Sequence, residues 1–205
     1  SSEHTIEFAY DLLQTYADGN ARSRRIMNQS RLVIVPVVNV DGFQISRDAD
    51  PLGDFSVFDY EMKRKNCSIS EDTPAQYTTG PCDDNDAGRL RGTDLNRNYP
   101  GYWGGGGAST NWSSHTFRGD GPGSEPEPDA VRQFISERAV TVMISNHTYS
   151  NLVLRPPAIA STGKSPDEPA YKALGDEMAS HNHYTSHASV GDAVDERGCD
   201  SCKCR

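Results

Sequence analysis

Hydrophobic positions recur at helical spacing in the first stretch of the chain. Ile6, Ala9, Tyr10, Leu13 and Tyr16 predict a helix over 2–16, with Gly19 placed to cap its C-terminus. An unbroken apolar, largely β-branched run follows at 32–38. Such runs suit strands covered on both faces, although Pro36 cannot donate to a ladder and marks a bulge or an edge. Residues 44–123 show little periodicity and much Asp, Gly, Ser and Thr. A stretch of that length without regular structure is expected to build a functional surface. Ser124 reads as an N-cap with Glu127 closing a capping box, and Ala130, Val131, Phe134 and Ile135 form the buried stripe of a second helix. A second buried strand is predicted over 140–145, ended by Asn146-His147, and a third over 151–154, stopped by Pro156-Pro157. Ala170, Leu174 and Met178 mark a last helix. This order predicts an α/β fold: a mixed, mostly parallel sheet with helices on both faces.

Composition narrows the function classes. At 205 residues one domain is the default, and 35% hydrophobic with 24% charged residues is lean but sufficient for one core. A formal charge of −9 argues against nucleic acid as a partner. No apolar run is long enough to span a bilayer, so no membrane partner is expected. The polar start Ser1-Ser2-Glu3-His4 is no signal peptide, and the chain reads as a mature segment or a fragment. The 18 Gly and 12 Pro suggest long loops, among them the flexible turn at Gly104 to Gly107. Of five cysteines, Cys67 and Cys82 flank one loop and suit a disulfide in an oxidising compartment. Cys199, Cys202 and Cys204 crowd the last seven residues without an evident fourth zinc ligand. Residues 188–205 are therefore set apart as a tail not native to the fold.

The densest candidate chemistry is Asp94-Leu95-Asn96-Arg97-Asn98. Arg97 offers a rigid fork of donors suited to a carboxylate, and Asn96 adds a neutral donor beside it. Such a cluster by itself is equally a polar turn. His147 directly follows a predicted buried strand, where open α/β sheets place their ligands, whereas a single histidine is ordinarily structural. Arg64 lies in the basic run Lys63-Arg64-Lys65, which alone reads as a solvated surface. Asp94 suits an acceptor for a metal-bound imidazole, or a turn residue. His181, His183 and His187 are assigned to a helix end and its loop, in solvent. The acidic stretches Asp48-Ala49-Asp50 and Cys82-Asp83-Asp84-Asn85-Asp86 offer oxygen ligands for calcium but lack EF-hand spacing. Four N-x-S/T sequons begin at Asn28, Asn66, Asn111 and Asn146.

Five ordered motifs carry a resemblance. Asn39-Val40-Asp41-Gly42-Phe43, Arg64-Lys65-Asn66, Gly92 to Tyr99, Phe117-Arg118-Gly119 with Ser124-Glu125-Pro126-Glu127, and His147-Thr148-Tyr149-Ser150 stand in the order of the zinc metallocarboxypeptidases. The chain resembles the carboxypeptidase A and T family over about 1–187, with Val40 in place of the usual proline. The resemblance implies that His147 is the third zinc ligand and that Arg64 polarises the scissile carbonyl and stabilises its oxyanion. Asn96 and Arg97 would grip the substrate's terminal carboxylate, with Tyr149 beside the cleft and Asp94 behind a metal ligand. These groups are expected to converge on one crevice. The implied enzyme is a secreted, monomeric zinc exopeptidase acting on peptide C-termini. The family's first two zinc ligands come from H-x-x-E just ahead of a helix like that at 2–16. No such motif stands there, and Glu3-His4 has the wrong spacing. The strand bearing the family's catalytic glutamate also has no counterpart before the cysteine tail. The expectation is an incomplete catalytic domain, inactive alone, lacking two zinc ligands and the general base. Two alternatives stand beside it: a non-catalytic module for carboxylates or peptide C-termini, and a zinc-dependent deacylase of N-acyl amino acids.

Overall fold

The computed structural model describes residues 2–48, 63–82, 90–147, 151–156 and 163–188. These form two compact units, one ending at Asn146 and one beginning at His147. The fold is mixed α/β, as the sequence predicts.

In the first unit, helix α1 spans Ser2–Ala17. It ends as expected at Gly19, whose left-handed φ of +87° lets its N–H reach the Tyr16 carbonyl at 3.1 Å. Helix α2, Ala21–Gln29, follows at once and packs against α1. Asn20 starts it, accepting hydrogen bonds from the backbone N–H groups of Arg22 and Ser23 at 2.9 and 3.1 Å. Helix α3 spans Val40–Asp48, and α4 spans Pro126–Glu137. Neither α2 nor α3 was legible as a helix, because their apolar positions are too few to form a stripe.

Three details depart from the sequence expectations. The run 32–38 belongs to no strand, nor does 140–145. Leu32, Val33, Val35, Val142, Met143 and Ile144 are all exposed. A strand needs a partner to take its backbone hydrogen bonds, and β-branched content specifies no partner. The N-cap of α4 is Glu125, without a side-chain cap, so the capping box from Ser124 to Glu127 does not form. His187 lies on a strand, not in a loop.

The second unit is a β-α-β arrangement. Strand β1, Leu152–Arg155, lies parallel to β2, Thr185–Ala188, with Leu152 opposite Thr185 and Arg155 opposite Ala188. Helix α5, Glu168–Asn182, connects them and packs on both. Parallel neighbours require such a crossover. Arg155 locks the three together: Nε and Nη2 donate to Glu168 Oε1 at 3.2 and 3.1 Å, and Nη1 donates to Ser186 Oγ at 2.9 Å.

The core between 63 and 125 is unusually polar. Phe117 and Leu95 are buried there beside Lys65, Asn66, Thr93, Asp94, Asn98 and Glu125. The Cys67–Cys82 disulfide forms, with Cα atoms 5.8 Å apart.

Candidate functional site

The basic run around Arg64 is not a solvated face. Lys63 and Lys65 point inward and are buried, while Arg64 between them points outward. Lys65 Nζ donates to the Trp112 carbonyl at 2.7 Å, and Lys63 Nζ donates to the Arg91 carbonyl. Burial lowers the Lys63 pKa to about 7, helped by repulsion from Lys65 and Arg91, with Asp41 opposing. Burial likewise lowers Lys65 to about 8, against the pull of Asp94. The Asn39 motif braces the same segment. Asn39 Oδ1 accepts from the Gly42 N–H at 2.9 Å, while its Nδ2 donates to the Arg64 carbonyl at 2.9 Å. Asp41 Oδ2 accepts from the Cys67 N–H at 3.1 Å.

Asp94 joins Arg64 to the carboxylate-binding candidates. Arg64 donates to Asp94 Oδ2 through Nε at 2.9 Å and Nη2 at 2.8 Å. The other oxygen, Oδ1, accepts from the Asn96 backbone N–H at 3.1 Å and so starts the short 3-10 turn Leu95–Arg97. Leu95 and Asn98 anchor that turn in the core, leaving Asn96 exposed and Arg97 half-buried. All four of these polar residues are thus linked by direct bonds, since the Arg97 N–H donates to the Asp94 carbonyl at 2.8 Å and Arg97 Nη1 donates to the Asn96 carbonyl at 3.0 Å. Asp94 bonds to a guanidinium here rather than to an imidazole.

Beneath this turn lies a network that sequence reasoning missed. Glu125 Oε2 accepts from Asn66 Nδ2 at 2.6 Å, and Oε1 accepts from the hydroxyls of Thr93 and Ser124 at 3.0 and 3.1 Å. The Glu125 N–H donates to Asn98 Oδ1 at 3.0 Å. Asn66 Oδ1 accepts from the Thr93 N–H at 2.8 Å. Gly92 makes this approach possible, since a β-carbon there would lie 1.8 Å from the Asn66 carbonyl oxygen. The signal was present as Ser124-Glu125-Pro126-Glu127, but it read as helix capping instead of a buried acceptor.

His147 opens the second unit and is exposed. Tyr149 and the cysteines at 199, 202 and 204 lie outside the described residues, as do the acidic stretches from residue 49 and from residue 83. The H-x-x-E spacing does occur once, as His4-Thr5-Ile6-Glu7, but inside α1 instead of ahead of it, with both side chains exposed. Among the described residues no group of three His, Cys, Asp or Glu side chains is arranged to hold a metal. A catalytic zinc takes three protein ligands. The donors described do not fit one.

The chain is similar to known proteins in sequence and fold. Carboxypeptidase O from Bos taurus is 34% identical over 151 residues, covering 73% of this chain and 33% of the relative. Carboxypeptidase O from Homo sapiens is 30% identical over 192 residues, covering 92% and 44%. The crystal structure of thrombin activatable fibrinolysis inhibitor superposes with a TM-score of 0.72 at 26% identity, covering 95% of this chain and 44% of that one. The bovine form, in complex with tick carboxypeptidase inhibitor, gives a TM-score of 0.69 at 26% identity, with coverage of 95% and 58%. The chain spans less than half the length of these curated relatives. The zinc carboxypeptidase family model matches residues 1–202, and the chain belongs to that family.

Proposed function

We propose that the chain carries the substrate-gripping part of an exopeptidase site that acts on peptide C-termini. The observation that carries this reading is the doubly engaged Asp94 carboxylate, with Arg64 on one oxygen and the Asn96 turn on the other. It couples a cation suited to a developing oxyanion to a turn that presents an amide and a guanidinium outward. Arg97 and Asn96 would take the substrate's terminal carboxylate through charge-assisted bonds. Arg64 would act mainly in the transition state, where a positioned donor is worth most. His147 is the proposed metal ligand, and Tyr149 the proposed cleft residue. Zinc is the family's metal. An extracellular, monomeric protein is proposed, and the Cys67–Cys82 disulfide supports the oxidising compartment.

A second reading, a non-catalytic module for peptide C-termini, is supported by the lack, among the described residues, of three His, Cys, Asp or Glu side chains grouped to hold a metal. Both readings need the carboxylate grip. Titrating the chain with an acylated dipeptide, as free acid and as amide, tests it. The free acid should bind preferentially, and Arg97→Ala should erase the preference at a cost of about 1.5–3 kcal/mol. Equal binding of acid and amide by the unsubstituted chain would end both readings. Turnover of the free acid would then separate enzyme from module.

A further inference from the structure

Arg97 stands beside a glycine-rich loop, residues 99–108, that the reading above leaves unused. Its guanidinium is held by backbone: Nε donates to the Gly107 carbonyl at 3.1 Å, and Nη1 donates to the Asn96 carbonyl at 3.0 Å. Two carbonyls in fixed positions set the plane of a planar group. The loop itself is wound by successive turns. Trp103 N–H reaches the Pro100 carbonyl at 3.3 Å, Gly105 N–H the Tyr102 carbonyl at 3.1 Å, and Ala108 N–H the Gly105 carbonyl at 3.2 Å. Tyr102, at φ +57°, is left-handed although it is not glycine. Such a conformation persists where its surroundings impose it.

Arg118 packs against the same loop, one and two residues further on. Its guanidinium lies 3.9 Å over the Trp103 ring, and Trp103 Nε1 donates to the Arg118 carbonyl at 3.0 Å. The same carbonyl accepts from Asn98 Nδ2 at 2.9 Å, which ties the loop to the buried end of the Asp94 turn. The Arg118 N–H donates to the Ser109 carbonyl at 3.0 Å and closes the loop's far end. Gly104, at φ +79°, makes the stack possible, because a β-carbon there would lie 2.1 Å from Arg118 Nη1.

We propose that the Trp103–Arg118 stack positions Arg97 and thereby sets selectivity for a free C-terminal carboxylate. The stack fixes the loop, the loop holds the Gly107 carbonyl against Nε, and the guanidinium plane is oriented before substrate arrives. A freely rotating guanidinium would keep its charge but lose the aligned fork that distinguishes a carboxylate from an amide. Trp103 and Arg118 are positioning residues, and neither needs to touch the substrate. The inference rests on the reading of Arg97 as the carboxylate grip.

The test uses the intact, isotope-labelled chain and N-acetylglycylglycine, as free acid and as C-terminal amide. Exchange of the Arg97 Nε–H with water, measured by NMR without ligand, reports the bond to Gly107. Arg118→Ala should speed that exchange about tenfold, as expected when local order is lost. It should also cut the acid-over-amide preference by about 3–10-fold, leaving amide affinity within about twofold. Arg118→Lys, which keeps the charge but not the planar stack, should lose most of the preference. Trp103→Phe, which retains a ring face, should preserve most of it. Unchanged exchange and unchanged preference in folded Arg118→Lys would overturn the proposal, even where Arg118→Ala does not fold. An unsubstituted chain that lacks any acid preference would instead remove the grip itself and the selectivity claim with it. Slow Nε–H exchange in that chain, accelerated in Arg118→Lys, would show that the failure lies with the grip and not with the positioning.

Discussion

Asp94 and Arg64 are unequally buried, the side chains being 3% and 43% exposed, and this asymmetry decides what happens when the pair is broken. Arg64→Ala leaves a buried carboxylate that still accepts from the Asn96 N–H but has lost its guanidinium, at a cost of about 1–3 kcal/mol. Adding Asp94→Asn removes the charge that needed a cation, so the double variant should recover part of that loss. Urea denaturation of the four chains measures the coupling, and strictly additive losses would show that the two residues act independently. The buried lysines give a second residue-scale prediction. Lys63 and Lys65 have folded pKa values of about 7 and 8, below the 10.5 of an unperturbed lysine. Between those values and 10.5 the unfolded chain binds more protons than the folded one, so stability rises with pH there. The slope is at most about 1.4 kcal/mol per pH unit for each lysine. Burial raises the Tyr99 pKa above 10, so the folded state holds that proton longer and stability from Tyr99 is lost as pH climbs past 10. Melts from pH 7 to 10 should therefore show rising stability, and Lys63→Met with Lys65→Met should flatten the rise. The local donor cluster drew attention to Asn96 and Arg97, whereas Arg64 read as a solvated basic run and Asp94 equally as a turn residue until the family resemblance gave them roles. Sequence alone misjudged Lys63 and Lys65, since whether a basic run faces water is decided by the segments packed over it.

At the scale of elements, legibility followed how much of each element's stability is local. Helix α1 carries its own periodicity and its glycine stop, and both were readable. Helix α2 depends on one cap, so Asn20→Ala should cost about 1 kcal/mol, measured as a shift in thermal midpoint. The runs 32–38 and 140–145 contain β-branched residues but form no ladder among the described residues. Their sequence encodes a preference for strand, while a strand exists only with its neighbour. The short β1, by contrast, is built because α5 returns the chain to β2. The polar core from 63 to 125 has few apolar contacts to define it and relies on covalent and hydrogen-bonded closure. The Cys67–Cys82 bond spans 15 residues, a loop whose closure is worth about 3 kcal/mol. Replacing both cysteines with serine should lower stability by about that amount. It should also broaden the amide signals of 66–68, which hold Asn66 on Glu125. A double-serine chain as stable as the original would mean that the Glu125 network alone closes the loop.

At the scale of the whole molecule, family membership raises a question of metal chemistry that can be measured. The family model spans 1–202, and the fold follows solved relatives with a TM-score of 0.72. A catalytic zinc nevertheless requires three protein ligands. His147 is exposed at the start of one unit, and His4 and Glu7 are exposed on α1. Among the described residues no three His, Cys, Asp or Glu side chains are grouped to hold a metal. The 205-residue chain is therefore expected to bind zinc weakly and to hydrolyse acylated dipeptides no faster with zinc than after chelation. Calorimetric titration checks this directly, because tight binding that disappears in His147→Ala would mean that His147 works with further donors of the chain and overturn the expectation. Tight binding that survives His147→Ala but not the loss of Cys199, Cys202 and Cys204 would assign the metal to the tail. In that case zinc uptake should leave the Arg97 Nε–H and the acid-over-amide preference unchanged, since the proposed carboxylate grip is held by Asp94, Asn98 and the 99–108 loop and not by those cysteines.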